Sequence, residues 1–150
     1  MSRENPQYTI FVVDDENEVA EVIQKYLRRE GFHSARAASG AEAMSWLSEN
    51  HADLMLLDFK LPDMTAEDLV ETLSEWKLLI PFIIITGLGD ERVAVEMMKR
   101  GARDYLIKDA SLMKLLPSVV TQLLEQLEGE KGSPQPRKPS GSRNRNTARC

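Results

Sequence analysis

Short runs that are apolar at every position recur along this chain, and amphipathic stretches separate them. That order restricts the fold more than any other feature. The runs are Ile10-Phe11-Val12-Val13, Leu54-Met55-Leu56-Leu57, Phe82-Ile83-Ile84-Ile85 and Tyr105-Leu106-Ile107. A strand without polar alternation is covered on both faces, as in a parallel sheet between two layers of helices. His33 to Ala37 reads as a weaker fifth strand. Between the strands, apolar residues return at helical spacing: Val19, Val22, Ile23, Tyr26 and Leu27, then Ala43, Met44 and Leu47, then Leu69, Val70 and Leu73. Gly31 closes the first of these helices. Ser39-Gly40-Ala41-Glu42 and Thr65-Ala66-Glu67-Asp68 have the spacing of capping boxes. Asp90 starts a fourth helix that ends near Gly101. The expectation is a doubly wound α/β domain of five parallel strands and five helices.

Two places leave the pattern. Pro117 interrupts the last helical stretch, and proline suits a first turn better than a helix interior. Either Ser111 caps a short turn and the main helix begins near Pro117, or one helix is kinked there. The first is favoured, with the helix running to about Glu128. From Gly129 the composition changes to Gly, Ser, Pro, Arg and Lys with no apolar run to bury. Residues 1–128 therefore read as one folded domain, and 129–150 as a disordered linker or tail.

Charge divides at the same point. Residues 1–128 hold 13 Lys and Arg against 23 Asp and Glu, whereas 129–150 hold 6 against 1. An acidic body is poorly made to grip nucleic acid by itself. No apolar run approaches the roughly 20 residues of a membrane helix. The N-terminus has no apolar signal core, and the only cysteine is Cys150. These features favour the cytoplasm. His33 and His51 have no partner at metal-binding spacing and receive no role.

Each strong strand is followed at once by a residue that carries charge or a hydroxyl: Asp14-Asp15, Asp58, Thr86 and Lys108. In an open parallel sheet, the carboxyl ends of the strands share one edge, where ligands bind. The expected pocket thus holds three carboxylates, one hydroxyl and one ammonium. Asp58 suits a nucleophile, since a carboxylate of ordinary pKa is ionised at neutral pH without a base. Gathered carboxylates need neutralising, and Mg²⁺ prefers such oxygen ligands. Asp15 and Asp58 are the expected direct ligands. Asp14 acts through a metal-bound water, and the Lys60 backbone carbonyl supplies another oxygen. Lys108 and Thr86 suit phosphoryl oxygens. Phosphoryl transfer asks for little beyond this alignment and neutralisation.

Four motifs in order carry a family resemblance. They are Val12-Val13-Asp14-Asp15-Glu16, Leu56-Leu57-Asp58-Phe59-Lys60-Leu61-Pro62-Asp63-Met64, Ile85-Thr86-Gly87 and Gly101-Ala102-Arg103-Asp104-Tyr105-Leu106-Ile107-Lys108. From residue 8 to 128 the chain resembles the receiver domains of two-component response regulators. The resemblance implies a flavodoxin-like fold with strand order 2-1-3-4-5. It implies that Asp58 accepts a phosphoryl group from a sensor histidine kinase or a histidine phosphotransfer protein, with Mg²⁺ bound. It also implies a switch pair, Thr86 and Tyr105, and an output or dimer face on the fourth helix, last strand and last helix. The odd outward apolar residues Val95 and Met98 fit such a face. Two positions depart from the family. Asp109 stands where proline usually follows the lysine, so a trans bond there could shift Lys108, and a carboxylate is added nearby. The usual glycine of the loop after the third strand is replaced around Thr65-Ala66, so that turn could differ.

Lys60 and Leu88 lie two positions beyond Asp58 and Thr86. Bulky side chains there obstruct an attacking water, which sets the expectation of a phospho-form lasting minutes or longer. Two rival readings remain. One is an interaction module that does not depend on phosphorylation. The other is a phosphatase with an aspartate nucleophile, disfavoured because Asp14 and Asp15 are adjacent and no cap domain is present. The expected product is a signalling domain rather than an enzyme. The stimulus, the kinase and the output are not written in the chain.

Overall fold

A computed structural model describes residues 8–87 and 89–132. The expected tail began at residue 129, but residues 129–132 continue the last helix; Leu88 and residues 133–150 lie outside the described residues. Two compact units divide at Pro117. The first holds five strands: β1 (Thr9–Val13), β2 (His33–Ala37), β3 (Leu54–Asp58), β4 (Phe82–Thr86) and β5 (Asp104–Ile107). They alternate with α1 (Asn17–Arg29), α2 (Gly40–Glu49), α3 (Ala66–Glu75) and α4 (Glu91–Lys99). A last helix, α5 (Leu112–Gly132), begins in the first unit, and its remainder belongs to the second.

The sheet order is β2-β1-β3-β4-β5, and every pairing is parallel. This is the flavodoxin-like arrangement expected above. Because the chain starts in the interior of the sheet and adds strands on both sides, the edge above β1 and β3 is where the order reverses. β3 and β4 are buried along their whole length, with four apolar residues of five in each. β2, with Ser34 and Arg36 among its residues, lies at an edge and is only half buried. On one side of the sheet, Phe11, Met55, Leu57, Leu69, Leu73 and Ile84 share a core cluster. Phe11 stacks on Trp46 of α2 with ring centroids 4.3 Å apart.

Local signals place the helices. Glu18 lies in the first turn of α1 and Arg28 and Arg29 in its last, each favourable to the helix dipole. Gly31 then takes φ +95°, a left-handed stop that costs glycine nothing. Thr65 and Asp68 close a reciprocal capping box on α3. The corresponding box on α2 closes differently. The Ser39 hydroxyl accepts from the Glu42 amide, but Glu42 Oε1 accepts from Ala38 rather than from Ser39.

The favoured reading of Pro117 does not hold. One helix runs through it, from Leu112 to Gly132. The Ser111 carbonyl already accepts from the Lys114 and Leu115 amides, both at 3.0 Å. The helix is therefore nucleated before the proline, and one missing donor does not stop a helix already under way. The strand ends also shift slightly. Asp58 and Thr86 are the last residues of β3 and β4, not the residues after them.

Leu73 is fully buried in the cluster. Leu73→Ala is expected to cost about 2–5 kcal/mol through lost burial and a residual cavity. Thr65→Ala, which removes a cap, should cost only about 1 kcal/mol. Urea unfolding of both variants checks the ranking.

Candidate functional site

Strand ends deliver every side chain of the pocket. The Asp14 amide bonds to Ala37 O at 3.0 Å, which extends the β1–β2 ladder by one step and fixes the turn that carries Asp14 and Asp15. Asp58 is held in the β3–β4 ladder opposite Ile85. Thr86 pairs with Ile107, and the Lys108 amide donates to Thr86 O at 2.8 Å. The main chain thus ties the hydroxyl-bearing residue to the ammonium-bearing one.

The carboxylates converge as expected. Oxygens of Asp14, Asp15 and Asp58 all lie within 4.8 Å of one another. Asp14 and Asp58 are buried, while Asp15 is exposed. Lys108 Nζ stands 3.1 Å from Asp14 Oδ2 and 3.3 Å from Asp58 Oδ2. It also pairs with Glu16. A cleft of about 470 Å³ opens over these groups, lined by Asp15, Glu16, Asp58, Lys60, Gly87 and Lys108 among others.

Electrostatics follow from this crowding. Burial and then the Asp14 charge push the Asp58 carboxyl up to about 6, against the opposing pull of Lys108. Burial works against the Lys108 ammonium, but the hydrogen bond to Glu16 and the charges of Asp58 and Asp14 outweigh it and hold its pKa above the usual lysine value. Like charges this close disfavour ionisation of one another, and one ammonium does not fully offset them. Three hard oxygen donors under such strain fit Mg²⁺. Thr86 Oγ1 is buried and has no hydrogen-bond partner among the described residues. A buried hydroxyl of that kind is ready to donate to an oxygen arriving over Asp58.

Lys60 lies beside Asp58 on the cleft wall. It forms an isolated bridge with Thr65, flanked by bonds from Ala66 N to Phe59 O at 2.8 Å and from Leu61 N to Met64 O at 3.2 Å. Neither bond engages the Lys60 carbonyl. Ala66, in place of the family's glycine, is simply the first, buried residue of α3.

Asp109 does not disturb the pocket. The described residues contain no cis peptide bond, and Lys108 reaches the carboxylates nonetheless. The Asp109 carboxylate turns away to accept from the Ser111 amide at 2.8 Å and hydroxyl at 2.6 Å. Tyr105 is 39% exposed and stands opposite Ile84 in the β4–β5 ladder. Two further residues take part that the motifs had not assigned. Glu16 shares Lys108, and the run of three consecutive acids was its signal. Arg36 on β2 donates through Nε and Nη2 to the Asp14 carbonyl at 3.2 and 2.8 Å. Only strand pairing brings Arg36 to Asp14, so sequence spacing could not show it.

Comparison with known proteins agrees with this geometry. The profile of the response regulator receiver domain matches residues 10–120. The chain is 36% identical over 107 residues to the response regulator SaeR of Staphylococcus aureus strain USA300, covering 71% of this chain and 46% of that protein. It therefore spans about half the length of the curated relatives it matches. Among solved structures, the CheY-like response regulator receiver domain protein from Methanospirillum hungatei JF-1 superposes with TM-score 0.70 at 27% identity, covering 81% of this chain and 97% of that one. The receiver domain of the Francisella response regulator 1452 gives TM-score 0.70 at 25% identity, over 79% and 98%. The chain belongs to the response regulator receiver domain family of two-component signalling. Among the described residues, no helix is long and apolar enough to cross a membrane.

The raised Asp58 pKa has a consequence for stability. Its ordinary value is 3.8 and its folded value about 6. The folded state then binds the proton more tightly, so this contribution is fully present below pH 3.8 and lost as pH rises through about 6. Without divalent metal, Asp58→Asn should therefore melt about 5 °C higher than the wild type at pH 7. That gap should close as pH falls towards 4. Thermal melts of both proteins in chelator across this range check the sign.

Proposed function

We propose that this receiver domain is a phosphoacceptor that takes a phosphoryl group onto Asp58 from a phosphohistidine donor. The observation that carries the reading is the convergence of Asp58 with Asp14, Asp15 and Lys108 beside the buried, unpartnered hydroxyl of Thr86. A carboxylate oxygen of Asp58 bonds to phosphorus as the phosphorus–nitrogen bond to the donor breaks. The released imidazole takes a proton from solvent. Lys108 neutralises charge on one phosphoryl oxygen, and Thr86 donates a hydrogen bond to another.

Asp15, Asp58 and the Lys60 carbonyl would hold Mg²⁺ directly, and Asp14 through water. When bound, the ion supplies charge neutralisation at the phosphoryl oxygens. Movement of Thr86 towards the phosphoryl group draws Tyr105 inward, and the surface of α4 and β5 responds. Val95, Met98 and Tyr105 are exposed there, which supports this surface as the one that meets an output domain or a second copy. The donor is a sensor histidine kinase or a histidine phosphotransfer protein, and the setting is cytoplasmic. The domain acts as a signalling acceptor, with self-phosphorylation from small donors and self-dephosphorylation as its only chemistry. Lys60 on the cleft wall supports a phospho-form that lasts minutes or longer.

Intact mass after incubation with acetyl phosphate and Mg²⁺ tests the proposal. One added phosphoryl group is expected, absent in Asp58→Asn and absent with chelator. Lys108→Ala should slow the gain at least about 100-fold. No gain in the wild type, combined with no beryllofluoride binding, would favour the phosphorylation-independent module. Multiple turnover of a generic phosphate ester would favour the phosphatase.

A further inference from the structure

The loop that follows Asp58 is anchored at a distance from the pocket. Asp63 Oδ1 accepts from the Gly40 amide and Oδ2 from the Ala41 amide, each at 2.9 Å. Gly40 and Ala41 are the first two residues of α2. Their amides are free of intrahelical partners by position, and the helix dipole favours an anion there. These two amides hold the Asp63 carboxyl below the usual carboxylate range. The next two helix amides are satisfied locally: Glu42 N by the Ser39 hydroxyl and Ala43 N by the Ser39 carbonyl. The helix start is complete only because a carboxylate from another loop supplies the first two acceptors.

A second contact makes the anchor directional. A Cβ on Gly40 would stand 2.4 Å from Met64 Sδ. Met64 therefore lies flat against the glycine, and close approach is what requires glycine here. Asp63 and Met64 together fasten the loop to α2 by two adjacent residues of each. The same loop is closed on itself by the bonds from Leu61 N to Met64 O and from Ala66 N to Phe59 O. Lys60 lies inside that closure, in a bridge with Thr65. The bonds that close the loop tie Lys60 to its neighbours, and the anchor on α2 opposes movement of the closed loop.

We infer that Asp63 is a positioning residue for the divalent cation: by fastening the Phe59–Ala66 loop to the N-terminus of α2, it fixes the Lys60 carbonyl relative to Asp58. The inference rests on the proposed metal-dependent acceptor role. Groups that orient a metal ligand without touching the metal commonly change affinity by about 10-fold or more. Asp63 is exposed, so its removal leaves the core cluster intact.

The test is Mg²⁺ binding to the whole chain by calorimetry, with no phosphoryl donor present. Asp63→Ala should weaken binding about 10-fold. Asp63→Asn, which keeps one acceptor oxygen, should weaken it less. Ser39→Ala is the matched control, because it removes another acceptor from the same helix start without releasing the loop. It should bind Mg²⁺ within about twofold of wild type while losing similar thermal stability. In Asp63→Ala, amide exchange at Gly40 and Ala41 should also accelerate. Equal Mg²⁺ affinity in wild type and Asp63→Ala would overturn the inference and leave the acceptor reading standing. So would a Ser39→Ala protein weakened as much as Asp63→Ala. A wild-type chain that binds no Mg²⁺ would overturn the acceptor reading and this inference with it.

Discussion

The ammonium of Lys108 sets the charge balance on which the pocket depends. Three carboxylates surround it: Asp14 at 3.1 Å, Asp58 at 3.3 Å, and Glu16. At such separations, each attraction or repulsion is on the order of 4 kcal/mol near a protein surface. One positive charge cannot cancel that many negative ones, and burial followed by the Asp14 charge raises the Asp58 pKa in spite of Lys108. The result is a site held together but undercharged on the positive side. A divalent cation is the kind of group that answers such a deficit.

The sheet is what makes that balance stable in space. Each charged group follows or ends a strand, so its position is inherited from a ladder of main-chain bonds. The ladder continues into the site itself, through Asp14 N to Ala37 O and Lys108 N to Thr86 O. Arg36 adds a side-chain bond to the Asp14 carbonyl, so even the edge strand steadies the acid pair.

Much of this was legible in the residue order. Continuous apolar runs specify buried parallel strands, and the groups at their ends then have only one edge to occupy. Asp14, Asp15, Asp58 and Lys108 could be brought together by that reasoning alone. What stayed hidden depended on contacts between segments far apart in sequence. The hold of Asp63 on Gly40 and Ala41 joins residues more than a helix apart, and nothing in their spacing announces it. Asp109 looked like a threat to the Lys108 loop because residue type alone cannot say where a carboxylate turns. Its actual partner, Ser111, is two residues away and satisfies it locally. Pro117 misled for a related reason: a helix start is set by the residues before the proline, and the Ser111 carbonyl had already taken two amides.

Lys108 and Asp14 meet across 94 positions of chain. Synthesis proceeds from the N-terminus, so the acids of the pocket leave the ribosome long before the lysine that steadies them. A nascent chain that has reached only β4 holds Asp14, Asp15 and Asp58 without their counter-ion. The order of emergence thus leaves the acid cluster unbalanced until β5 has been added to the sheet.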